Sequence, residues 1–284
     1  MIAFMPSIKE IRNNIFDELS PKLGVEESTA LIFILLEFVL KKEKVFLLAN
    51  PEVEIAPDEL IFLENAVVRL INHEPIQYIL EEAVFLGRRF YVNPSVLIPR
   101  PETEELVLLA LKNCKGGERI LDIGSGSGVI GISLALEIEA SQVYCLDNDA
   151  ASLQVAKRNS MNHKVQIQLI HSDFLNEIPE INHFDIIVSN PPYIAESEKS
   201  LMQKNVLNYE PRKALFVPDN NPLVFYSRIA ALRKKLLSPK GKIFVEINEA
   251  FGLQIEEIFY EAGSLHVQIF KDINGKDRLV YARF

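Results

Sequence analysis

The chain has 284 residues, of which 48% are apolar and 24% charged, which is ordinary for a globular protein and long enough for one large and one small domain. Its net charge of −9 disfavours a protein that grips long nucleic acid, and its two cysteines form no C-x-x-C pair. The most apolar stretch, residues 30–40, is far shorter than the roughly 20 residues that cross a bilayer. With no secretion signal and no histidine spacing typical of a metal site, we expect a cytoplasmic protein without a metal or a membrane segment.

Residues 1–80 carry the apolar spacing of amphipathic helices. Two sets of residues recur on one helical face, namely Ile8, Ile11, Ile15 and Leu19, and then Leu60, Leu63, Val67 and Leu70. A strongly apolar helix over 30–40 lies between them, and Pro57 is well placed for the first turn of the helix that follows. We predict a small N-terminal helical bundle, which either docks a substrate protein or only stabilises the chain.

Residues 81–99 have a different pattern, with short strands predicted over 83–85 and 89–92 around Leu86-Gly87. We interpret this segment as a β-hairpin linker between two domains. The segment from 100 to 284 then alternates strand and helix, which is typical of a mostly parallel sheet with helices on both faces.

The predicted strands of this third segment cover residues 119–123, 142–146, 166–170, 184–189, 242–247, 267–270 and 279–282. Helices are predicted between them, for example over 102–111, 129–136 and 150–159. Asn274-Gly275 joins the last two strands without a helix, so these two should pair antiparallel. The fold class is therefore α/β, with a Rossmann-like seven-stranded sheet whose last strand is antiparallel.

A glycine-rich loop follows the first strand of this sheet and opens a helix. Its residues are Gly124, Ser125, Gly126, Ser127 and Gly128. Glycine lets the backbone approach a ligand closely, and ligands of open α/β sheets bind at the carboxyl ends of the strands. The spacing is G-x-G-x-G and not the G-x-G-x-x-G of dinucleotide-binding proteins, which disfavours a Rossmann oxidoreductase.

Two acids accompany this loop. Asp122 precedes the first glycine by two residues, where a carboxylate suits an ammonium or sulfonium group better than a pyrophosphate. Asp147 follows Gly124 by 23 residues, close to the spacing that puts an acid on ribose hydroxyls. Acid, glycine loop and second acid in successive strand–helix units predict a site for S-adenosylmethionine.

Asp173 and Phe174 follow the third strand, at the turn that should reach the adenine of such a cofactor. There an aromatic ring can pack on the base, and a carboxylate can accept from the amino group of adenine. The alternative is that Phe174 belongs to the core and Asp173 caps a helix.

The segment Asn190-Pro191-Pro192-Tyr193 follows the fourth strand, at the same sheet edge as the glycine loop. Because neither proline has an N–H, the loop offers acceptors and no backbone donors at these two positions. The Asn190 side-chain oxygen and the Pro191 carbonyl can hold both hydrogens of an –NH₂ group and so aim its nitrogen at a methyl donor, while Tyr193 packs on the planar group. We therefore predict an amino-methyltransferase with Asn190, Pro191 and Tyr193 as its catalytic residues; a turn without chemistry is the alternative.

The chain resembles the amino-methyltransferases that carry an Asn-Pro-Pro-Tyr motif, and within them the release factor glutamine methyltransferases (the HemK family). The resemblance runs nearly the whole length, and the segment from Ile98 to Glu104, which reads Ile-Pro-Arg-Pro-Glu-Thr-Glu, is its most specific part. Glu81 and Asn248 depart from it, since the family usually has glycine at both positions. Further segments that look like this family are 74–78, 85–90, 96–97, 209–212, 214–215, 271–272 and 277–278.

The resemblance implies methylation of the glutamine in the Gly-Gly-Gln motif of peptide chain release factors one and two. We expect a monomer that binds no nucleic acid stably. It implies that Asn190, Pro191, Pro192 and Tyr193 hold this glutamine, that Asn190 also touches the cofactor, and that Arg100 and Glu102 line the pocket mouth with Pro101 and Thr103. The main alternative is a methyltransferase of adenine or guanine amino groups, which would take a flipped base into the same pocket. A non-catalytic binding module is a third reading, although both loops are intact.

Overall fold

A computed structural model describes residues 5–178 and 180–284, and these group into two compact units. The first comprises the described residues up to Glu81 together with Lys204–Tyr209, and the second comprises the rest of the described chain. The helices, in chain order, are α1 (Ile8–Leu23), α2 (Val25–Leu40), α3 (Lys44–Ala49), α4 (Pro57–Ile71), α5 (Ile76–Leu80), α6 (Pro101–Leu111), α7 (Val129–Glu137), α8 (Ala150–His163), α9 (Lys204–Tyr209), α10 (Val224–Leu236) and α11 (Gly252–Glu261). The strands are β1 (Glu82–Phe85), β2 (Arg88–Tyr91), β3 (Arg119–Ile123), β4 (Gln142–Asp147), β5 (Gln168–His171), β6 (Phe184–Ser189), β7 (Ile194–Ala195), β8 (Phe216–Val217), β9 (Leu237–Glu246), β10 (His266–Lys271) and β11 (Asp277–Arg283).

The first unit is helical, as the apolar spacing predicts. Ser7 and Glu10 form a capping box that begins α1, with Ser7 Oγ accepting from the Glu10 N–H and Glu10 Oε2 accepting from the Ser7 N–H. The four predicted residues of α1 are all buried, and of the four on α4 only Leu60 remains partly exposed. Pro57 is the first residue of α4, where its missing N–H costs no hydrogen bond. No described helix is long and apolar enough to cross a membrane.

The second unit contains the predicted seven-stranded sheet, in the order β10-β11-β9-β6-β3-β4-β5. The pairs β3–β4, β3–β6, β4–β5 and β6–β9 are parallel, and β11 is antiparallel to both of its neighbours. The predicted α/β fold class and the antiparallel last strand are confirmed. Because the chain moves outward from β3 through β4 to β5 and then returns to β6 on the other side of β3, the sheet reverses its order between β3 and β6.

Side chains alternate between the two faces of the sheet. On one face, Leu121 and Ile187 join a core with α10 and α11, which supply Ile229 and Phe259. On the other face, the strand residues that alternate with those of the first face form a second core with residues of α6 and α7. The two layers leave the carboxyl ends of the parallel strands as the accessible edge.

The predicted hairpin is present, with β1 and β2 pairing antiparallel around Leu86 and Gly87. The sequence pattern was interpreted as a linker, but the structure groups this hairpin with the second unit. The physical reason is that Phe85 and Phe90 are fully buried in the same core as α6 and α7. Glu81, which departs from the family pattern, ends α5 with φ +53°, a left-handed conformation that favours glycine.

The sequence analysis missed the small parallel sheet of β7 and β8 and the short helix α9 between them. Each of these strands has only two residues, so no period-2 pattern can be recognised. Together with two short 3₁₀ segments, Glu196–Leu201 and Arg212–Ala214, they make up the connection between the Asn-Pro-Pro-Tyr segment and α10.

Gly131 and Gly252 both lie in helices, and replacing each by alanine tests how tightly its surroundings are packed. A Cβ at Gly131 of α7 would lie 2.5 Å from Cys145 Sγ, so Gly131→Ala should lower the free energy of unfolding by about 1–3 kcal/mol, as overpacked cores do. A Cβ at Gly252 would meet nothing closer than the flexible end of Ile269 at 3.3 Å, so Gly252→Ala should be neutral or stabilising. Urea unfolding of both variants checks this, and equal losses of stability would contradict it.

Candidate active site

A pocket opens at the carboxyl ends of β3, β4 and β6, where the strand order reverses. Its empty volume, including the part open to solvent, is about 780 Å³. It is lined by Ser95, Val96, Leu97, Ile123, Gly124, Gly126, Leu146, Asp147, Asn148, Ser152, Ser172, Asp173, Phe174, Leu175, Ser189, Asn190, Pro191, Pro192, Lys213, Ala214 and Phe225. All belong to the second unit.

The glycine loop is held by the end of the neighbouring strand β4. The N–H groups of Gly124 and Ser125 both donate to the Leu146 carbonyl, at 2.8 and 3.1 Å. The Gly126 N–H donates to the Asp147 carboxylate at 2.8 Å. Gly124 and Gly126 have φ of +73° and +53°, and nothing lies within 4 Å of a Cβ added to either, so these two glycines are required by the backbone conformation and border open space.

Behind the loop, Gly128 begins α7 with φ +80°, and a Cβ there would lie 3.0 Å from the Cβ of Ala156 in α8. The neighbouring Ser127 is also fixed, because its carbonyl accepts from Nδ2 of the fully buried Asn159 at 2.9 Å. Ser125 and Ser127 are both buried and do not line the pocket. The loop therefore offers the pocket mainly the backbone of Gly124 and Gly126.

Asp147 ends β4 and lines the pocket, as the sequence predicts for an acid that meets a ligand. Its two carboxylate oxygens accept from the Gly126 N–H and from the Asp149 N–H, at 2.8 and 2.9 Å. Burial raises the pKa of Asp147, and these two hydrogen bonds oppose that shift. Each oxygen retains a further lone pair, so the group can still accept from hydroxyls of a ligand.

Asp122 lies elsewhere than the sequence analysis expects. It is fully buried on the face of the sheet that packs against α7, and it does not line the pocket. Its Oδ2 accepts from the Gly131 N–H at 3.0 Å, and Oδ1 has no hydrogen-bond partner among the described residues. Alternation along β3 explains the error, because Ile123 faces the pocket and the residue before it must then face the other way. Asp122 holds the start of α7, and a direct contact with a bound sulfonium is not supported.

Asp173 and Phe174 show features of both alternatives that the sequence left open, namely a position at the pocket and a role in the core or as a cap. Both line the pocket, yet Phe174 is also buried in the core. Asp173 also caps its own turn, since Oδ1 accepts from the Leu175 N–H at 3.1 Å. Each carboxylate oxygen of Asp173 has two lone pairs, so the group can cap its own turn and still accept from a ligand.

Asn190, Pro191 and Pro192 line the opposite wall of the pocket, directly after β6. Nδ2 of Asn190 donates to Thr103 Oγ1 at 2.9 Å, and Thr103 Oγ1 donates to Glu246 Oε2 at 2.7 Å. The Asn190 side-chain oxygen takes no part in this bond, because it is the other end of the planar carboxamide. Asn190 lines the pocket beside two residues that have no backbone N–H.

Three other predicted site residues do not line the pocket. The Tyr193 hydroxyl donates to Glu246 Oε1 at 3.0 Å, and the Arg278 guanidinium lies 5.9 Å from the centre of the tyrosine ring. Burial and the adjacent Glu246 carboxylate raise the pKa of Tyr193, so its hydroxyl stays protonated. Arg100 is paired with the buried Glu210 at 2.6 Å, and Glu102 accepts from Asn274 Nδ2 at 3.3 Å.

Several residues of the pocket were missed from the sequence. The segment Ser95, Val96 and Leu97 was assigned to the linker, yet it forms part of the wall, and the Ser152 hydroxyl donates to the Ser95 carbonyl at 3.0 Å. Lys213 lines the pocket and forms an ion pair with Asp149, which follows β4. The signal available in the sequence was the family resemblance, which includes Val96 and Leu97 and has segments on both sides of Lys213.

Comparison with known proteins places this site in a family. Residues 102–215 match the family model of the methyltransferase small domain, and residues 10–80 match that of the PrmC N-terminal domain. The release factor glutamine methyltransferase of Flavobacterium psychrophilum is 38% identical over 98% of this chain and 99% of that protein. That of Bacteroides thetaiotaomicron is 46% identical over 78% of this chain and 80% of that protein.

The chain belongs to the release factor glutamine methyltransferase family. Among solved structures, a 16S rRNA methyltransferase of Thermus thermophilus, in complex with AdoMet and guanosine, has a TM-score of 0.52. It is 22% identical and covers 71% of this chain and 49% of that one, which shows a shared fold. As a member of this family, the protein is a methyltransferase that uses S-adenosylmethionine. The residues of its pocket fit that group, since they include a glycine loop, an acid with spare lone pairs and an aromatic ring.

Among the described residues of the methyltransferase, no group of three or more histidine, cysteine or acidic side chains could hold a metal ion.

The two acids on neighbouring strands of the methyltransferase form a matched pair for testing cofactor binding. Asp147→Asn places an NH₂ group against backbone N–H donors at the pocket wall, so it should raise the Kd for S-adenosylmethionine by about 10–100-fold, the worth of one charge-assisted hydrogen bond. Asp122→Asn removes a carboxylate that does not line the pocket and should change the Kd little. Calorimetric titration compares them, and a loss of affinity in the Asp122 variant alone would reverse our assignment.

Burial also makes Asp122 a source of pH-dependent stability. Its pKa is raised to about 7, mainly by desolvation, whereas an unfolded aspartate has a pKa near ~3.9. The native state binds this proton more tightly, so the stabilisation is complete below about pH 4 and is lost as the pH rises towards 7, by at most about 4 kcal/mol. We expect the difference in the free energy of unfolding between the wild type and Asp122→Asn to fall between about pH 4 and about pH 7. A difference that does not change with pH would contradict the raised pKa.

Proposed function

We propose that this methyltransferase transfers the methyl group of S-adenosylmethionine to the side-chain amide nitrogen of a glutamine in peptide chain release factors. The glutamine is that of the Gly-Gly-Gln motif of release factors one and two. The names of the two relatives above support the substrate class. The observation that carries the chemistry is the Asn190 carboxamide, which stands at the pocket wall with its nitrogen bonded to Thr103 and its oxygen turned away from that bond.

The substrate amide needs this arrangement because its nitrogen is a poor nucleophile, with the lone pair delocalised into the carbonyl. The Asn190 side-chain oxygen accepts one hydrogen of the –NH₂ group, and the Pro191 carbonyl accepts the other. Pro191 and Pro192 add no competing donor. Holding both hydrogens reduces delocalisation and aims the lone pair, so catalysis comes from alignment and electrostatics.

S-adenosylmethionine supplies a methyl group on a positively charged sulfur. The backbone of Gly124 and Gly126 would orient it, and Asp147 would accept from the ribose hydroxyls. Phe174 would pack on the adenine, and Asp173 would accept from its amino group. The amide nitrogen would take the methyl group and lose one proton to solvent, and S-adenosylhomocysteine would leave, so that no strong base would be required.

The Tyr193 hydroxyl is bonded to Glu246, and the residue does not line the pocket, so we infer that it supports the Asn-Pro-Pro loop. That its ring packs on the substrate amide stays a prediction. We assign the helical unit to docking of the release factor, supported by its match to the PrmC N-terminal domain and by exposed apolar side chains such as Val45, Ile61 and Val68.

The test incubates the purified protein with methyl-labelled S-adenosylmethionine and three acceptors: unmodified release factor, ribosomal RNA and adenine-containing duplex DNA. We expect label on the release factor only, and its loss when the glutamine of Gly-Gly-Gln is replaced by alanine. Label on RNA or DNA alone would refute the proposed substrate and favour a base methyltransferase.

The same assay tests Asn190. The Asn190→Ala variant should lose about 10²–10³-fold in turnover, as expected for one well-placed electrostatic partner in a transition state. Its affinity for S-adenosylmethionine should fall much less. Turnover at the wild-type rate would remove Asn190 from the mechanism.

A further inference from the structure

Glu246 is a buried carboxylate that connects two parts of the site. It ends β9, the strand beside β6, and only 1% of its surface is exposed. Thr103 donates to one of its oxygens and Tyr193 to the other, at 2.7 and 3.0 Å. Its backbone carbonyl accepts from the Tyr226 hydroxyl at 2.9 Å. Nothing in the methyl transfer itself uses this carboxylate, although burying it is costly.

The polarity of these hydrogen bonds fixes the direction of the Asn190 carboxamide. Burial raises the pKa of Glu246, while the hydrogen bonds from Thr103 and Tyr193 and the nearby Arg278 oppose that shift. The ionised carboxylate only accepts, so the Thr103 hydroxyl gives its single hydrogen to Glu246. Thr103 Oγ1 can then only accept from Asn190, and the –NH₂ end of the carboxamide must face it. The oxygen is consequently left on the opposite side of the planar group.

This direction decides what the site can bind. With its oxygen outward, Asn190 accepts from a substrate –NH₂ group. With its nitrogen outward, it would donate instead, and would favour a carbonyl or carboxylate. A free asparagine could adopt either orientation, since the two ends have the same shape.

We propose that Glu246, acting through Thr103, is a positioning residue that locks the Asn190 carboxamide with its oxygen towards the substrate, and so selects a glutamine amide over a glutamate carboxylate. This inference rests on the proposed function, because it takes the acceptor to be an amide. Tyr193 is the second residue held by the same carboxylate, which keeps both ends of the Asn190–Tyr193 segment attached to β9.

Buried hydrogen bonds that orient a functional group typically contribute about 10–100-fold, as for the partners of metal ligands. Thr103→Val keeps the shape of the side chain and removes the hydroxyl, so we expect kcat to fall by that factor. The KM for S-adenosylmethionine should stay unchanged, because Thr103 does not line the pocket. Thr103→Ser restores the hydroxyl and should recover most of the wild-type kcat.

The matched control is Ser133→Ala. Ser133 is a fully buried hydroxyl in α7 of the same unit, without a hydrogen-bond partner among the described residues. Its variant should keep the wild-type kcat. If Thr103→Val lowered the melting temperature but left kcat unchanged, or if Thr103→Ser failed to recover kcat, the positioning role would be overturned.

A second readout does not depend on turnover. Calorimetry, with S-adenosylhomocysteine present, measures the affinity for the release factor carrying Gly-Gly-Gln and for its Gln→Glu variant. The wild type should prefer glutamine, and Thr103→Val and Glu246→Gln should each reduce that preference by about 10-fold or more. An unchanged preference in both variants would overturn the inference.

These outcomes separate the two proposals. If the wild type labels no release factor, the proposed function fails and the positioning proposal for glutamine fails with it. If the wild type labels the release factor and all Thr103 variants match it in kcat and in preference, only the positioning proposal fails.

Discussion

The pocket depends on three hydrogen bonds between the loop after β3 and the end of β4. The Leu146 carbonyl accepts from Gly124 and Ser125, and the Asp147 carboxylate accepts from Gly126. A chain with three left-handed glycines has many alternatives in the unfolded state, so its ordering costs considerable entropy. The Leu146 carbonyl and the Asp147 carboxylate favour one conformation of the glycine loop. The parallel register of β3 with β4 places them opposite the N–H groups of that loop.

Buried acids organise both walls of the site by accepting hydrogen bonds from neutral groups. Asp147 accepts from two backbone N–H groups and Asp122 from one, whereas Glu246 accepts from two hydroxyls. Hydrogen bonds of this kind are directional, and they specify orientation better than a contact with a mobile lysine would. In the function that we propose, the β4 side would bind the cofactor and the β9 side the substrate.

The elements with strong periodicity could be predicted from the sequence. The buried face of α1, the strands β3 and β6 and the antiparallel β11 follow from residue spacing and from a single Asn-Gly turn. What could not be predicted depends on contacts distant in sequence. Glu246 lies 143 residues from Thr103 and 53 from Tyr193, so no local pattern reveals their hydrogen bonds. The direction of Asp122 was recoverable in principle, since alternation along β3 fixes it once Ile123 is known to face the ligand.

Asn159 connects the β1–β2 hairpin to the glycine loop through hydrogen bonds. Its carboxamide accepts from the Tyr91 N–H and donates to the carbonyls of Tyr91 and Ser127, which makes one side chain of α8 the common partner of both segments. The Tyr91 amide can exchange with solvent deuterium only when that clamp opens. Its protection factor therefore reports the free energy of opening the glycine loop, measured at a residue that does not line the pocket.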